Sequence, residues 1–145
     1  MTAAQVFSIV NFIALAGWLI LILLGRRVWV ASLLTGAILP LLFAVLYSWM
    51  IVSYWPAAKG GFGSLADVQT LFSNEWLLLA GWVHYLAFDL FIGSWEVRDA
   101  NRHGIPPWAI IPSLILTFLF GPMGLLLYFL IRIARIRRLI VEPKT

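Results

Sequence analysis

Apolar residues run almost unbroken through four stretches of this chain, and polar residues gather in the short segments between them. The runs cover residues 5–24, 28–55, 75–96 and 108–131. About twenty apolar residues in helical conformation cross a hydrocarbon core of roughly 30 Å, so each run predicts a transmembrane helix. Only Gly25, Arg26 and Arg27 separate the first two, and so short a turn makes them antiparallel neighbours. The expected fold is an all-α integral membrane protein, with four transmembrane helices in one antiparallel bundle over residues 1–145 and a basic tail at 132–145.

Local signals refine this outline. Pro40 lies inside the second run, where it removes a donor, bends the helix and leaves the Gly36 carbonyl without its usual partner. Residues 56–74 form the one long polar connection. Within it, Ser64 followed by Asp67 has the spacing of a helix cap, and Leu65, Val68, Leu71 and Phe72 share a helical face. A short helix results, either in the membrane interface or folded back as a lid. The third helix starts after a Ser73 or Asn74 cap and continues to His103, where Gly104 suits a left-handed C′ residue and Pro106-Pro107 a stop. About 29 residues at 1.5 Å each give roughly 43 Å, longer than the core. The end carrying Glu96, Arg98, Asp99, Arg102 and His103 is therefore expected to project from it. In the fourth run Ser113, Thr117 and Gly121 recur at every fourth residue, a spacing that lets helices approach closely. Pro122 should kink that helix and free the Phe118 carbonyl for a water, hydroxyl or ligand.

Composition agrees with a lipid environment. Hydrophobic residues make up 63% of the 145 and charged residues 11%, with mean hydropathy +0.98, whereas soluble domains are about a quarter charged. Cysteine is absent, which excludes disulfides, thiolate ligands and cysteine nucleophiles. The +4 formal charge sits mostly in the tail, at Arg132, Arg135, Arg137, Arg138 and Lys144, where contact with anionic headgroups is expected rather than with nucleic acid. The first run has no basic residues before it and no small-residue cleavage site after it, and so reads as an uncleaved helix. Four spans put both termini on one side, and the balance of arginines and lysines leans towards the cytoplasm for that side.

Two ionisable residues lie deep in the third run. Such groups are costly at that depth and mark functional candidates. At 100° per residue Glu75, Trp82, Asp89 and Glu96 share a stripe with Tyr85 beside it, while His84 points about 140° away from Asp89. Glu75 and Glu96 are near enough to the ends to reach water, which leaves Asp89 central. Asp89 is either a carboxyl paired with Asn11, a serine or an arginine, or a proton donor and acceptor. His84 is a core histidine, an axial ligand to a chlorin or haem, or a proton shuttle. Trp82, Tyr85, Phe88 and Trp95 could wall a groove for a polyene. No standard metal-ligand spacing is present.

The segments HYLAFDLFIG ending at Gly93, GIPPW at 104–108 and FLFGPMGLLLY at 118–128 carry a likeness to a known family. The chain resembles the neoxanthin-synthesis family of small membrane proteins typified by the plant abscisic-acid-deficient type. The resemblance implies an epoxide-opening carotenoid isomerisation without net redox change, or an accessory part in it. It makes Asp89 and His84 the acid and base, with Thr117, Gly121 and Pro122 shaping the groove. The alternative is a non-catalytic carotenoid- or chlorin-binding subunit of a larger photosynthetic pigment–protein complex, or a homo-oligomer. The missing transit peptide and the Leu, Ala, Arg and Trp content point to a bacterial inner or photosynthetic membrane.

Overall fold

The computed structural model describes residues 1–137; the expected tail residues Arg138 and Lys144 lie outside them. The described chain is helical throughout, as α1 (Ala3–Leu24), α2 (Leu39–Tyr54), α3 (Leu65–Leu71), α4 (Glu75–Arg102), α5 (Pro107–Phe120) and α6 (Pro122–Ile136). A π-helical segment, Val30–Ile38, leads into α2. Three helices are long and apolar enough to cross a membrane: Ala3–Leu24, Val30–Ala57 and Glu75–Arg102.

α4 is the central element, and its boundaries follow from its sequence. Asn74 Oδ1 accepts from the backbone N–H groups of Trp76 (2.9 Å) and Leu77 (3.3 Å), which caps the first turn. Gly104 adopts φ +66° after the last turn, and the Ile105 N–H returns to the Ala100 carbonyl at 2.9 Å. α1 runs parallel to α4. Phe7 meets Trp82, the Trp18 ring fills the space left by Gly93, and Asn101 Nδ2 donates to the Gly25 carbonyl. The π-helical segment and α2 run the opposite way, with Ser94 Oγ donating to Thr35 Oγ1 (2.8 Å) in the former and Tyr54 stacked on Trp76 at the far end of the latter. α3 is capped by Ser64, whose Oγ accepts from the Asp67 N–H at 3.1 Å, and it buries Leu71 while leaving Leu65 exposed.

The disturbance expected at Pro40 takes the form of the π-helical segment before it. Backbone bonds there reach one residue further than in an α-helix, as in Leu39 N–H to the Leu34 carbonyl. Two carbonyls of the widened turn gain side-chain donors. Thr35 Oγ1 donates to Val30 at 3.0 Å, and the Arg98 guanidinium donates to Ala31. Gly36 faces that guanidinium, and a Cβ there would lie 2.4 Å from Arg98 Nη1.

The largest departure from the expected fold concerns residues 108–131. They form two helices, not one span. Gly121, at φ +48° and ψ −96°, ends α5 and begins α6, a left-handed φ that glycine adopts without a Cβ clash. Pro122 then starts α6 at a position where its missing N–H has no helical partner to lose. The chain reverses: the Arg135 guanidinium near the end of α6 lies 5.3 Å from the Trp108 ring at the start of α5. Fourteen and fifteen residues give arms of only about 21 and 22 Å, short of a roughly 30 Å core. The small-residue stripe is the seam of this hairpin, because Gly124 of α6 packs on Ser113 and Thr117 of α5.

The hairpin also changes the placement of the ends. α1 begins beside the first turns of α4, and α6 ends beside the last turns, where Arg132 pairs with Asp99. Among the described residues the chain thus enters α1 and leaves α6 at opposite ends of the bundle, where four crossings would return it to the starting end. Because the chain lacks cysteine, single introduced thiols report sidedness directly. In intact cells Arg102→Cys and Arg137→Cys should react alike with a membrane-impermeant maleimide, and Lys59→Cys oppositely. Arg137→Cys reacting like Lys59→Cys would restore the single span.

Candidate functional site

The tip of the hairpin turns beside Asp89, fourteen residues into the 28-residue α4. Gly121 has no side chain to interpose, and a Cβ there would stand 3.0 Å from Asp89 Oδ1 and 3.2 Å from Oδ2. The Phe118 carbonyl, left without a helical donor where α5 ends, accepts from the Tyr85 hydroxyl at 3.0 Å. Asp89 Oδ2 is buried and has no hydrogen-bond partner among the described residues.

Two further carboxyls follow on α4 towards its end. Glu96 has no solvent exposure; Thr117 Oγ1 donates to its Oε1 at 3.0 Å, while Oε2 has no partner among the described residues. This corrects the expectation that Glu96 reaches water, since α5 covers it. Asp99 is also buried, and both of its neighbours on α6 serve one oxygen: Tyr128 OH donates at 2.6 Å and Arg132 Nε at 2.7 Å to Oδ2. His103 Nδ1 lies 3.4 Å from Oδ1 and 2.8 Å from the Asp99 carbonyl. Arg132 is accordingly an internal ion-pair partner rather than the first residue of a solvated tail. The three carboxyls thus differ in kind. Asp99 is fully engaged, and Asp89 and Glu96 each keep an open oxygen.

The remaining candidates divide between separate faces. Trp82 Nε1 donates to Asn11 Oδ1 at 3.1 Å, so the α1 amide binds a neighbouring helix. The Trp82 ring lies 5.7 Å from Phe7 and 5.2 Å from Tyr85. Trp82 also forms one wall of an apolar groove of about 580 Å³ bordered by Ala3, Phe7, Phe72 and Leu78. From Trp82, Tyr85 and then Asp89 lie about 4.5 and 10 Å further along α4. Tyr85, Asp89, Glu96, Thr117 and Gly121 therefore belong to one region, with Trp82 at its edge and Pro122 exposed at the turn. His84 does not join it. Its ring packs 5.8 Å from Tyr47 and 4.7 Å from Phe88 and borders a smaller cavity of about 250 Å³ with Ile51, Trp55 and Phe62. Trp95 packs on Tyr128 and Phe129 and holds α6 to α4. Among the described residues no group of three or more histidine or acidic side chains could hold a metal ion.

Glu96, Asp99, Tyr128 and Arg132 are the site residues that sequence reasoning did not single out. Glu96 does share the Asp89 stripe, and Tyr128 and Arg132 sit one turn apart on one helical face, a spacing that would have signalled a shared buried partner.

Three helices long and apolar enough to cross a membrane, with a shorter helical hairpin packed on them beside Asp89 and Glu96, fit an integral membrane protein. The family model described as ABA DEFICIENT 4-like matches residues 5–128, and the chain belongs to that family. No curated protein and no solved structure matches it.

Proposed function

We propose that the protein opens the epoxide of a carotenoid within the membrane, with Asp89 as the reacting carboxyl. The observation that carries this reading is the open Asp89 Oδ2 beside the Gly121 turn, about 10 Å along α4 from the Trp82 wall of the apolar groove. Asp89 as the acid protonates the epoxide oxygen, and the C–O bond breaks. The resulting carboxylate then takes the proton from the neighbouring carbon as the allene forms. One proton is given and one taken, so the product is an isomer with a new hydroxyl. The apolar surroundings keep water from capturing the cation in between. His84, on the other face, has no part in this step.

Among the described residues Arg26, Arg27, Arg102, Arg135 and Arg137 crowd one end of the bundle, and Lys59 is the lysine or arginine side chain at the other. By the positive-inside rule the arginine end is cytoplasmic.

The test is conversion of an epoxy-carotenoid by membranes from a carotenoid-free host expressing the protein, followed by pigment extraction and separation. Wild type should yield the allenic isomer, and Asp89→Asn should lose about 100-fold in rate, the scale of general acid–base catalysis. Conversion by Asp89→Asn at the wild-type rate would sink the assignment. The groove also fits a second reading, a non-catalytic pigment-binding subunit. That reading requires a pigment at fixed ratio in both proteins and no isomer from either.

A further inference from the structure

Glu96 has no role in the step above, yet its environment is unusual for a structural residue. It has no solvent exposure, one oxygen is fixed by Thr117, and the other has no partner among the described residues. A carboxyl left half-satisfied at this depth is expensive unless something completes it. It lies on the same stripe of α4 as Asp89, seven residues or about 10 Å further along. Side chains of an α-helix lean towards its N-terminus, so the Glu96 carboxyl, on the longer side chain, reaches back towards Asp89. Thr117 and Gly121, one turn apart on α5, bracket the interval between the two carboxyls.

We propose that Asp89 and Glu96 form one coupled carboxyl pair, in which Asp89 faces the ligand and the charge state of Glu96 behind it sets how readily Asp89 gives up its proton. Glu96 is sealed from the groove, so it acts through Asp89 and is a positioning residue. The other titratable groups facing the pair are accounted for. Tyr85, whose hydroxyl donates to the Phe118 carbonyl, also faces Asp89 within hydrogen-bonding reach, and on the α6 side Tyr128 and Arg132 are turned to Asp99. No titratable side chain of α1 or α2 bonds to either carboxyl among the described residues. The inference rests on the proposed function only in calling Asp89 the ligand-facing member.

The test needs no substrate. Infrared pH titration of the purified protein in lipid nanodiscs resolves protonated carboxyl bands, which Asp89→Asn and Glu96→Gln assign. In a coupled pair, removing either member should move the titration midpoint of the other by about one pH unit. Thr117→Val should displace the Glu96 band while Tyr128→Phe leaves both bands of the pair unmoved. Midpoints that stay put in both single variants would overturn the pair. If Glu96→Gln fails to fold, the Asp89→Asn and Thr117→Val spectra decide by the same criterion. A coupled pair in a protein that converts no epoxide would overturn the proposed function and leave the pair standing.

Discussion

Replacing Arg132 with Met should cost about 3–5 kcal/mol of stability, because removing one partner of a buried ion pair strands the other charge. Asp99 and Arg132 are 3% and 1% exposed, and the carboxylate has no route to water that would replace the 2.7 Å contact. Tyr128→Phe should cost less, about 1–3 kcal/mol, since it deletes one hydrogen bond and leaves the counter-charge in place. The pair is not expected to be optimal for stability in itself. Asp99→Leu combined with Arg132→Met should recover much of the loss, as apolar replacement of buried pairs often does. Thermal unfolding in detergent, followed by retention of the monomer on size exclusion, gives all three values. An Arg132→Met protein as stable as wild type would place Asp99 in contact with water and end the account of α6 as the cover of that carboxyl.

The same contact explains why the hairpin was hidden in the sequence. Hydropathy is blind to chain direction, so an apolar stretch that crosses once and one that turns back halfway read alike. Gly121-Pro122 marks a disruption in both cases, and only the tertiary mate of each arm distinguishes a kink from a reversal. The mates were visible only as unassigned polar residues: Tyr128 and Arg132 needed Asp99, and Thr117 needed Glu96. By contrast, local chemistry was legible. The Asn74 cap, the Gly104 stop, the Ser64–Asp67 turn and the need of the Phe118 carbonyl for a donor all depend on residues within a few positions. The angular separation of His84 from Asp89 was legible too, since periodicity fixes relative direction on one helix. Which face would meet the hairpin was not, because that depends on where α5 and α6 lie. Glu96 was misplaced for the same reason: depth counted from the end of α4 ignores the helix that covers it.

Gly124→Ala separates the two architectures by the sign of its effect. On an exposed face of a single helix the change should stabilise by about 0.8–1 kcal/mol, the difference in helix propensity between glycine and alanine. In the hairpin a Cβ at Gly124 would stand 2.0 Å from the Thr117 backbone nitrogen, 2.1 Å from its Oγ1 and 2.5 Å from the Ser113 carbonyl oxygen. Two of these atoms are backbone and cannot rotate aside, so the arms must part. Overpacking of this kind costs about 1–3 kcal/mol and occasionally more, and a contact against main chain belongs at the upper end. Gly61→Ala, where no atom lies within 4 Å of the added Cβ, is the control and should stay within about 0.5 kcal/mol of wild type. The parting has a chemical consequence as well. Thr117 moves with its arm, so its 3.0 Å bond to Glu96 lengthens and the Gly121 tip shifts from Asp89. Gly124→Ala should therefore lower stability and displace the Glu96 carboxyl band together, although residue 124 bonds to neither carboxyl. A stabilised protein with an unmoved band would return residues 108–131 to a single span and leave the open oxygens of Asp89 and Glu96 facing lipid.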